Sequence, residues 1–205
     1  MSMVEQKIKP FKILTKDYFI GNLGCPEATD EINLICNNQL QNDENVISKY
    51  DSISTIRNGE VNYKLRKCFV SSIPVDNLNF IEQGLKKTIE YVNDMQWKMD
   101  LSHRWESNIQ YTKYLGKGHF YDWHPDVFPK EHFPNHSAIR RKISIVYCLS
   151  DKSDYVGGEF QIKTDDGIYT RKFGYGDFIV FPSEKIHRVK PLKSGTRITL
   201  VGWYT

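Results

Sequence analysis

Three consecutive residues near the middle of the chain, His124, Pro125 and Asp126, give the first chemical signal in the sequence. In an extended stretch, side chains at positions i and i+2 point to the same side, so this imidazole and carboxylate converge on one point. Both groups are ligands of divalent transition metals. A single His-x-acid pattern is common by chance, so the interpretation depends on a third ligand.

His187 is the candidate third ligand. It begins a later predicted strand, and in a jelly roll that strand lies beside the one that ends at His124. Two histidines and one carboxylate leave three coordination positions open, an arrangement typical of non-haem Fe(II) oxygenases. A structural zinc site would fill all its positions with protein ligands. Without its partners, His187 would be interpreted as an ordinary surface or core histidine.

Arg197 follows His187 by ten residues and begins the last predicted strand, where it points to the same barrel mouth. A buried guanidinium requires an anion, and its planar fork fits a carboxylate. Thr199 shares this face of the strand and adds a hydroxyl group. An exposed arginine in a Ser-Gly-Thr-Arg turn is the alternative interpretation, and the sequence leaves both open.

The second half of the chain provides the elements that position these residues. From Ile109 onward, short runs of Ile, Val, Tyr and Phe are separated by turns rich in Gly, Asp and Ser, as in a sheet of many short strands. Eight strands are predicted, at residues 109–115, 119–124, 142–149, 158–163, 168–173, 178–181, 186–190 and 196–204. The predicted fold class is mainly β with supporting α-helices, built around a double-stranded β-helix, or jelly roll.

The first half of the chain is predicted to contain two helices that pack on one sheet. Residues 76–95 have apolar side chains at steps of three and four, which indicates an amphipathic helix. Residues 26–38 form a shorter helix that begins with proline. Residues 38–63 are polar with few apolar anchors, which is typical of a long surface segment, either a substrate lid or plain disorder.

Length and composition set limits on the class of protein. The 205 residues carry a net charge of only +3, which argues against a dedicated nucleic-acid binder. A chain of this length folds without a structural metal, so a metal would serve function. The 4 cysteines form no C-x-x-C pair, and no signal peptide or membrane span is recognised, so a cytoplasmic location is expected.

Seven sequence pieces stand in order along the second half: Tyr114 to Gly118, His124 to Asp126, Ile143 to Leu149, Gly157 to Phe160, Gly176 to Phe181, His187 to Val189 and Gly195 to Arg197. Together they resemble the iron(II)- and 2-oxoglutarate-dependent dioxygenases of the prolyl and lysyl hydroxylase type, including small bacterial and phage members. The strand at 66–70 and the helix after it are similar to the N-terminal support of that family. One domain is therefore expected over residues 1–205, with 1–104 as support and lid and 105–205 as catalytic barrel.

The resemblance implies a role for each matching residue. His124, Asp126 and His187 would hold Fe(II). Arg197 would pair with the distal carboxylate of 2-oxoglutarate, and Tyr114 would donate a hydrogen bond to the same end of this cosubstrate. The implied cofactors are thus Fe(II) and 2-oxoglutarate, with ascorbate as an optional reductant.

Arg141 and Trp123 are candidate substrate-binding residues at the barrel mouth. Arg141 also fits a solvated position at a strand entrance. Trp123, like Tyr111, Tyr121 and Tyr147, could line the pocket, although aromatic residues at alternating strand positions are more often core.

Several positions depart from the family pattern. Collagen-type prolyl hydroxylases usually place lysine at the position of Arg197, so the arginine favours the oxygen-sensor-like and bacterial or phage branches. Nucleic-acid demethylases carry a second arginine where this chain has Trp203, which disfavours that branch. His132 and His136 lie in the long loop 127–140, and Pro134 between them disfavours a helical zinc pair.

The sequence thus leads to a dioxygenase that hydroxylates a protein or peptide side chain, most plausibly proline. Two alternatives stay open: a 2-oxoglutarate oxygenase acting on a free amino acid or another small molecule, and a non-catalytic jelly-roll binding module. The expected partner is a protein or peptide substrate, with no membrane and no strong nucleic-acid signal. No oligomeric state follows from the sequence.

Overall fold

A computed structural model describes most of the chain. The described residues are 13–23, 30, 32–35, 64–74, 78–106, 108–116, 118–128, 130–131, 135 and 137–205. The strands are β1 (Ile13–Leu14), β2 (Phe19–Asn22), β3 (Arg66–Lys67), β4 (Phe69–Pro74), β5 (Asn108–Leu115), β6 (Phe120–His124), β7 (Ile143–Cys148), β8 (Tyr155–Gly157), β9 (Phe160–Thr164), β10 (Gly167–Arg171), β11 (Asp177–Pro182), β12 (His187–Val189) and β13 (Leu192–Tyr204). An α-helix, α1 (Asn79–Val92), continues into a π-helical turn, Asn93–Trp97, and short 3-10 helices lie at Ser137–Arg140 and Lys152–Asp154.

Two antiparallel sheets form the barrel. The larger sheet has the order β1-β2-β11-β7-β13-β5-β4, with β8 attached to β13, and the smaller sheet has the order β10-β9-β12-β6-β3. Apolar side chains from both sheets fill the space between them, among them Tyr114, Val146, Phe160, Ile162 and Phe181. Most neighbouring strands are not consecutive in sequence, as the jelly-roll prediction requires.

The helix α1 covers the outer face of the larger sheet. Its buried residues Leu85, Ile89 and Val92 recur at helical spacing and join one core cluster with sheet residues such as Tyr111 and Leu200. This packing fixes the outward face of β5 and β13. The alternate residues of the same strands must therefore point into the barrel.

All eight strands predicted for the second half are present, with ends shifted by a few residues. The largest shift is in β13, which begins at Leu192 instead of residue 196 because it also pairs with the short strand β8. The sequence did not indicate β2, which extends the larger sheet by pairing with β11. The predicted helix at 76–95 is confirmed as α1 with its π-helical end.

Some expectations concern parts of the chain that are only partly described. Residues 30 and 32–35 are helical, within the predicted helix at 26–38. The segment 38–63, and also Cys25, Cys36, His132 and His136, lie outside the described residues. Cys68 and Cys148 are buried free thiols. Across the described ranges, no helix is both long and apolar enough to cross a bilayer.

Candidate metal centre

The pairing of β6 with β12 brings His124 and His187 together. The two residues are direct partners in the register of these antiparallel strands, and their ring centroids lie 4.3 Å apart. Both side chains are buried at the inner end of the smaller sheet. The neighbour relation expected from jelly-roll topology therefore holds in the structure.

Asp126 completes the cluster from the turn after β6. Its backbone N–H donates to the carbonyl oxygen of Ser183 at 2.8 Å, which holds the turn against the end of β11. One carboxylate oxygen lies 3.8 Å from Nε2 of His124 and the other 3.6 Å from Nε2 of His187. The three ligand atoms lie within 4.8 Å of one another, so the cluster could hold a metal ion.

Backbone carbonyls orient both imidazoles. Nδ1 of His124 lies 2.6 Å from the carbonyl oxygen of Asp122, and Nδ1 of His187 lies 2.9 Å from that of Lys185. Because a carbonyl oxygen can only accept, each Nδ1 carries the proton in these contacts. Each Nε2 then keeps its lone pair and faces the carboxylate, which is the tautomer that a metal ligand needs.

The protonation states of the cluster also suit metal binding. Burial is the largest cause, and the nearby His187 the second largest, of a pKa of His124 that lies well below its ordinary value. Burial by itself raises the pKa of Asp126, but the two imidazoles and the Ser144 hydroxyl outweigh it, so this pKa lies below its ordinary value. Neutral imidazole beside an ionised carboxylate is the form that binds a cation without first losing protons.

An irregularity in β6 decides which aromatic residue reaches the cluster. The register shifts between the pairs His187–His124 and Val189–Tyr121, so two residues of β6 lie opposite one of β12. This bulge turns Tyr121 inward, where its ring stacks on His124 with centroids 3.4 Å apart. Trp123 instead lies against Lys163 and Arg188 and does not line the cavity. The structure therefore does not bring Trp123 to the site.

A cavity of about 450 Å³ opens from the metal cluster into the barrel. Alternate residues of β13 line it, namely Arg197, Thr199, Val201 and Trp203. Apolar side chains that include Val146, Phe160 and Val189 form other parts of its wall. A small polar set in a mainly apolar cavity is typical of a ligand site.

Arg197 is the least expected group in this cavity because it is a buried charge without an anionic partner. Only 1% of its surface is exposed, and within the described part of the chain no carboxylate pairs with its guanidinium, whose charge acts instead on the neutral Tyr155 hydroxyl. Tyr114 is its direct cross-strand neighbour on β5, with the guanidinium carbon 5.4 Å from the ring centre. A buried, unsatisfied guanidinium is costly unless an anion binds it.

Tyr114 and Thr199 add neutral donors beside Arg197. Both are buried and line the cavity. Burial raises the pKa of Tyr114 above its ordinary value, so the phenol keeps its proton and can donate it in a hydrogen bond. The structure thus brings together three residues that the sequence assigned to one ligand.

Arg141 lines the cavity but is held by protein groups. Its Nε and Nη2 donate to the two carboxylate oxygens of Glu106 at 3.0 and 2.9 Å, and its Nη1 donates to the backbone carbonyl oxygen of Asp126 at 3.1 Å. Its guanidinium also lies 3.5 Å from the ring centre of Trp203. These contacts make Arg141 a residue that positions Asp126.

Four residues of the site were missed in the sequence. Ser144 and Ser183 share a hydrogen bond of 2.8 Å beneath Asp126, and Glu106 anchors Arg141. Arg66, from the short strand β3, covers the ring of Tyr121 at 4.4 Å and lines the cavity. Its signal was present, since Arg66 begins the 66–70 strand that resembled the family's support, but a lone arginine carries no motif.

A second cavity of about 680 Å³ adjoins the first. Gln110, Arg141 and Trp203 line both, so the two spaces meet at these side chains. The second cavity lies along the exposed edge formed by β4 and the segment around Arg104 and Trp105. Together the two cavities extend from that edge to the cluster of His124, Asp126 and His187.

Residues 109–205 match the family model described as the 2OG-Fe(II) oxygenase superfamily. A PKHD-type hydroxylase of Prochlorococcus marinus is 28% identical over 168 residues, which cover 82% of this chain and 70% of that protein. A PKHD-type hydroxylase of Acaryochloris marina is 42% identical over 66 residues, or 32% of this chain and 30% of that protein. For several such hydroxylases, the chain thus spans less than half of the relative's length.

Solved structures share the fold over nearly the whole chain. A prolyl hydroxylase of Trichoplax adhaerens, in complex with a hypoxia inducible factor oxygen degradation domain peptide fragment, has a TM-score of 0.71 at 18% identity, covering 93% of this chain and 84% of that chain. A Pseudomonas putida prolyl-4-hydroxylase has a TM-score of 0.64 at 18% identity, covering 92% and 91%. Over residues 109–205 the chain is therefore similar to the 2OG-Fe(II) oxygenase superfamily, and its fold is shared with prolyl hydroxylases.

Proposed function

We propose that this protein is an Fe(II)- and 2-oxoglutarate-dependent dioxygenase that hydroxylates a prolyl residue of a protein or peptide, with release of succinate and CO2. One observation carries the proposal: a metal-binding cluster and a buried arginine without an anion face the same cavity. Fe(II) would account for the cluster, and 2-oxoglutarate would account for the arginine.

The cluster fits Fe(II). His124 and His187 present Nε2 lone pairs, and Oδ2 of Asp126 is buried with no hydrogen-bond partner among the described residues. Two imidazoles and one carboxylate are the ligand set of non-haem iron oxygenases, which keep further positions open. We assign these three residues as the iron ligands.

The Arg197 end of the cavity fits a carboxylate. The guanidinium can donate two parallel hydrogen bonds to it, and the neutral Tyr114 and Thr199 hydroxyls can donate further ones. We assign these three residues to the distal carboxylate of 2-oxoglutarate. Pairing of this carboxylate with Arg197 would remove the free-energy cost of the unpaired buried charge, and that gain would favour cosubstrate binding.

Held by these residues, Fe(II) and 2-oxoglutarate would allow O2, the oxidant, to convert an unactivated C–H bond to an alcohol, while 2-oxoglutarate is oxidised to succinate and CO2 as the co-reductant. The chain contributes placement and exclusion of water. Val146, Phe160 and Val189 give the reaction space an apolar wall, and the Arg141 clamp holds the backbone of Asp126.

An extended peptide fits the path to the site. The second cavity leads from the surface edge at β4 to the metal cluster through the junction at Gln110. The Trichoplax adhaerens prolyl hydroxylase, which has this fold, binds a peptide fragment. We further propose that residues 1–205 act as one domain, in which α1 and the strands before residue 105 support the barrel.

The direct test supplies Fe(II), 2-oxoglutarate and O2 together with a library of proline-containing peptides, and then measures succinate and peptide mass. We expect succinate formation to be coupled to a gain of one oxygen atom on a peptide. Coupled oxidation of free amino acids alone would instead support the small-molecule alternative. No succinate with any substrate, from protein that binds the metal, would contradict the proposal.

The ion pair between Glu106 and Arg141, which holds Arg141 against the backbone of Asp126, gives a first mutational prediction. We expect Glu106→Gln, which keeps the shape of the side chain but removes its charge, to lower metal affinity by roughly tenfold, because loss of a supporting contact around a metal ligand typically costs about 10- to 100-fold. Mn(II) titration of the variant and the unmodified protein measures this. A matched change at an exposed acid, Glu184→Gln, should leave affinity unchanged, and equal affinity in all three proteins would contradict the positioning role.

A further inference from the structure

Arg66 is a second buried guanidinium in the same cavity, and the proposed iron and cosubstrate roles do not use it. Only 6% of its surface is exposed, and it lines the cavity with the metal cluster and Arg197. Its position comes from β3, which pairs with β6 so that Arg66 lies opposite Tyr121. The fold therefore builds this charge into the wall of the site.

The partners of Arg66 are all neutral. Its Nε donates to Sγ of Cys68 at 2.9 Å and its Nη2 to Oε1 of Gln110 at 2.8 Å, while the guanidinium lies over the ring of Tyr121. Burial raises the pKa of the Cys68 thiol, although Arg66 opposes this, so the sulfur is not an anion at neutral pH. Among the described residues no carboxylate forms an ion pair with Arg66, unlike Arg141, which has Glu106.

When the charges of the cavity and its proposed ligands are summed, the positive charge of Arg66 remains unbalanced. Among the described residues, the ionised groups that line the cavity are Arg66, Arg141, Arg197 and Asp126, and Glu106 balances Arg141 from outside. With the proposed ligands bound, one carboxylate of 2-oxoglutarate balances Arg197. Its other carboxylate and Asp126 balance a divalent ion. One positive charge then remains buried at Arg66 without a counter-charge, which is unfavourable unless the substrate provides one.

Arg66 lies near both the second cavity and the metal cluster. Gln110, its hydrogen-bond partner, is one of the residues that line both cavities, so Arg66 lies beside the boundary between them. The ring of Tyr121 contacts Arg66 and stacks on His124. One aromatic ring thus separates the guanidinium from the metal cluster, so a group bound to Arg66 is close to the reacting carbon.

We propose that Arg66 is the specificity residue for the primary substrate and binds a carboxylate carried by the oxidised residue or by its immediate neighbour in the chain. This inference rests on the proposed function. A guanidinium binds a carboxylate by paired, charge-assisted hydrogen bonds. Two sources present that group: the terminal carboxylate of a C-terminal proline, and the side chain of an acidic residue next to proline.

The experiment measures binding without turnover, by calorimetry on the full chain loaded with Mn(II) and 2-oxoglutarate under anaerobic conditions. Four probes form two matched pairs: N-acetyl-glycyl-proline against its C-terminal amide, and N-acetyl-aspartyl-proline amide against N-acetyl-asparaginyl-proline amide. We expect the charged member of at least one pair to bind roughly tenfold or more tightly than its neutral partner. The pair that shows the preference identifies the source of the carboxylate.

Arg66→Gln should reduce that preference to less than about twofold while 2-oxoglutarate still binds, and Arg66→Lys should restore part of it. The matched control is Arg188→Gln. Arg188 also lies 4.4 Å from an aromatic ring centre, at Trp123, and donates to a glutamine, Gln161, at 2.7 Å, but it is outside the cavity. This variant should keep the full preference.

Four outcomes would overturn the inference: equal binding within both pairs by the unmodified protein, no binding of any probe, a preference that survives in Arg66→Gln, or loss of 2-oxoglutarate binding in that variant. The last outcome would assign Arg66 to the cosubstrate. Failure of the proposed function is a separate observation, since it would appear as no 2-oxoglutarate binding to the unmodified, Mn(II)-loaded protein.

Discussion

Replacing Asp126 with Ala is expected to lower metal affinity by more than about 100-fold and to abolish metal-dependent conversion of 2-oxoglutarate. Removing groups that only support metal ligands already costs about 10- to 100-fold, so removal of a ligand itself must cost more. Asp126 is also the sole carboxylate in the cluster, so its loss leaves two neutral imidazoles to hold a divalent ion. Mn(II) titration and succinate assay measure the two effects, and His124→Ala should reproduce both.

The chain offers a matched histidine as control. His119 is buried like His124, but its ring packs on Phe69 with centroids 5.5 Å apart and it does not line the cavity. We expect His119→Asn to bind metal as the unmodified protein does. Undiminished metal binding by Asp126→Ala, or an equal loss in His119→Asn, would contradict the assignment of the cluster as the metal site.

Replacing Arg197 with Met is expected to have opposite effects on cosubstrate binding and on the stability of the ligand-free protein. Removing one partner of a buried ion pair costs about 3 to 5 kcal/mol, so 2-oxoglutarate affinity should fall by roughly 100- to 4,000-fold. Metal affinity should stay unchanged, because Arg197 does not contact the cluster. Arg197→Lys keeps the charge without the planar fork and should lie between the two.

The ligand-free protein should not lose stability in this variant. In the structure Arg197 is a buried charge with no carboxylate partner among the described residues, so it costs free energy until an anion binds. A methionine of similar length removes that cost and keeps apolar packing. Thermal unfolding without ligand should therefore give an equal or higher midpoint for Arg197→Met. Unchanged 2-oxoglutarate affinity in this variant would contradict the assigned role.

The barrel strands and the metal cluster could be predicted from sequence because both depend on local pattern and simple geometry. Turn residues at close intervals mark the strand ends, and His124 and Asp126 are close in the chain. Only His187 required topology, and the neighbour relation of two jelly-roll strands supplied it. The face of Arg197 followed from alternation along β13, which α1 fixes from the other side.

The fate of the aromatic residues in β6 could not be predicted, because a bulge has no clear sequence signal. Strict alternation would place Tyr121 and Trp123 on one face. The extra residue opposite β12 sends Tyr121 into the cavity and Trp123 toward Arg188. The bulge therefore separates two rings that regular alternation would keep on the same face.

Glu106 and Arg66 were missed for a different reason. Each contacts a residue that is distant in sequence, Arg141 and Tyr121 respectively, and each contact exists only once the sheets are assembled. Arg141 was identified as a residue of the barrel mouth, but its carboxylate partner was not visible. Without Glu106, its guanidinium seemed free to bind a substrate.

The most direct test of the central claim is a crystal structure of the protein with Mn(II) and 2-oxoglutarate, with the metal located by its anomalous scattering. We expect one ion bonded to Nε2 of His124, the carboxylate of Asp126 and Nε2 of His187, and a carboxylate of 2-oxoglutarate paired with Arg197. An ion bound away from these three side chains, or a cosubstrate that leaves the Arg197 guanidinium unpaired, would contradict the claim.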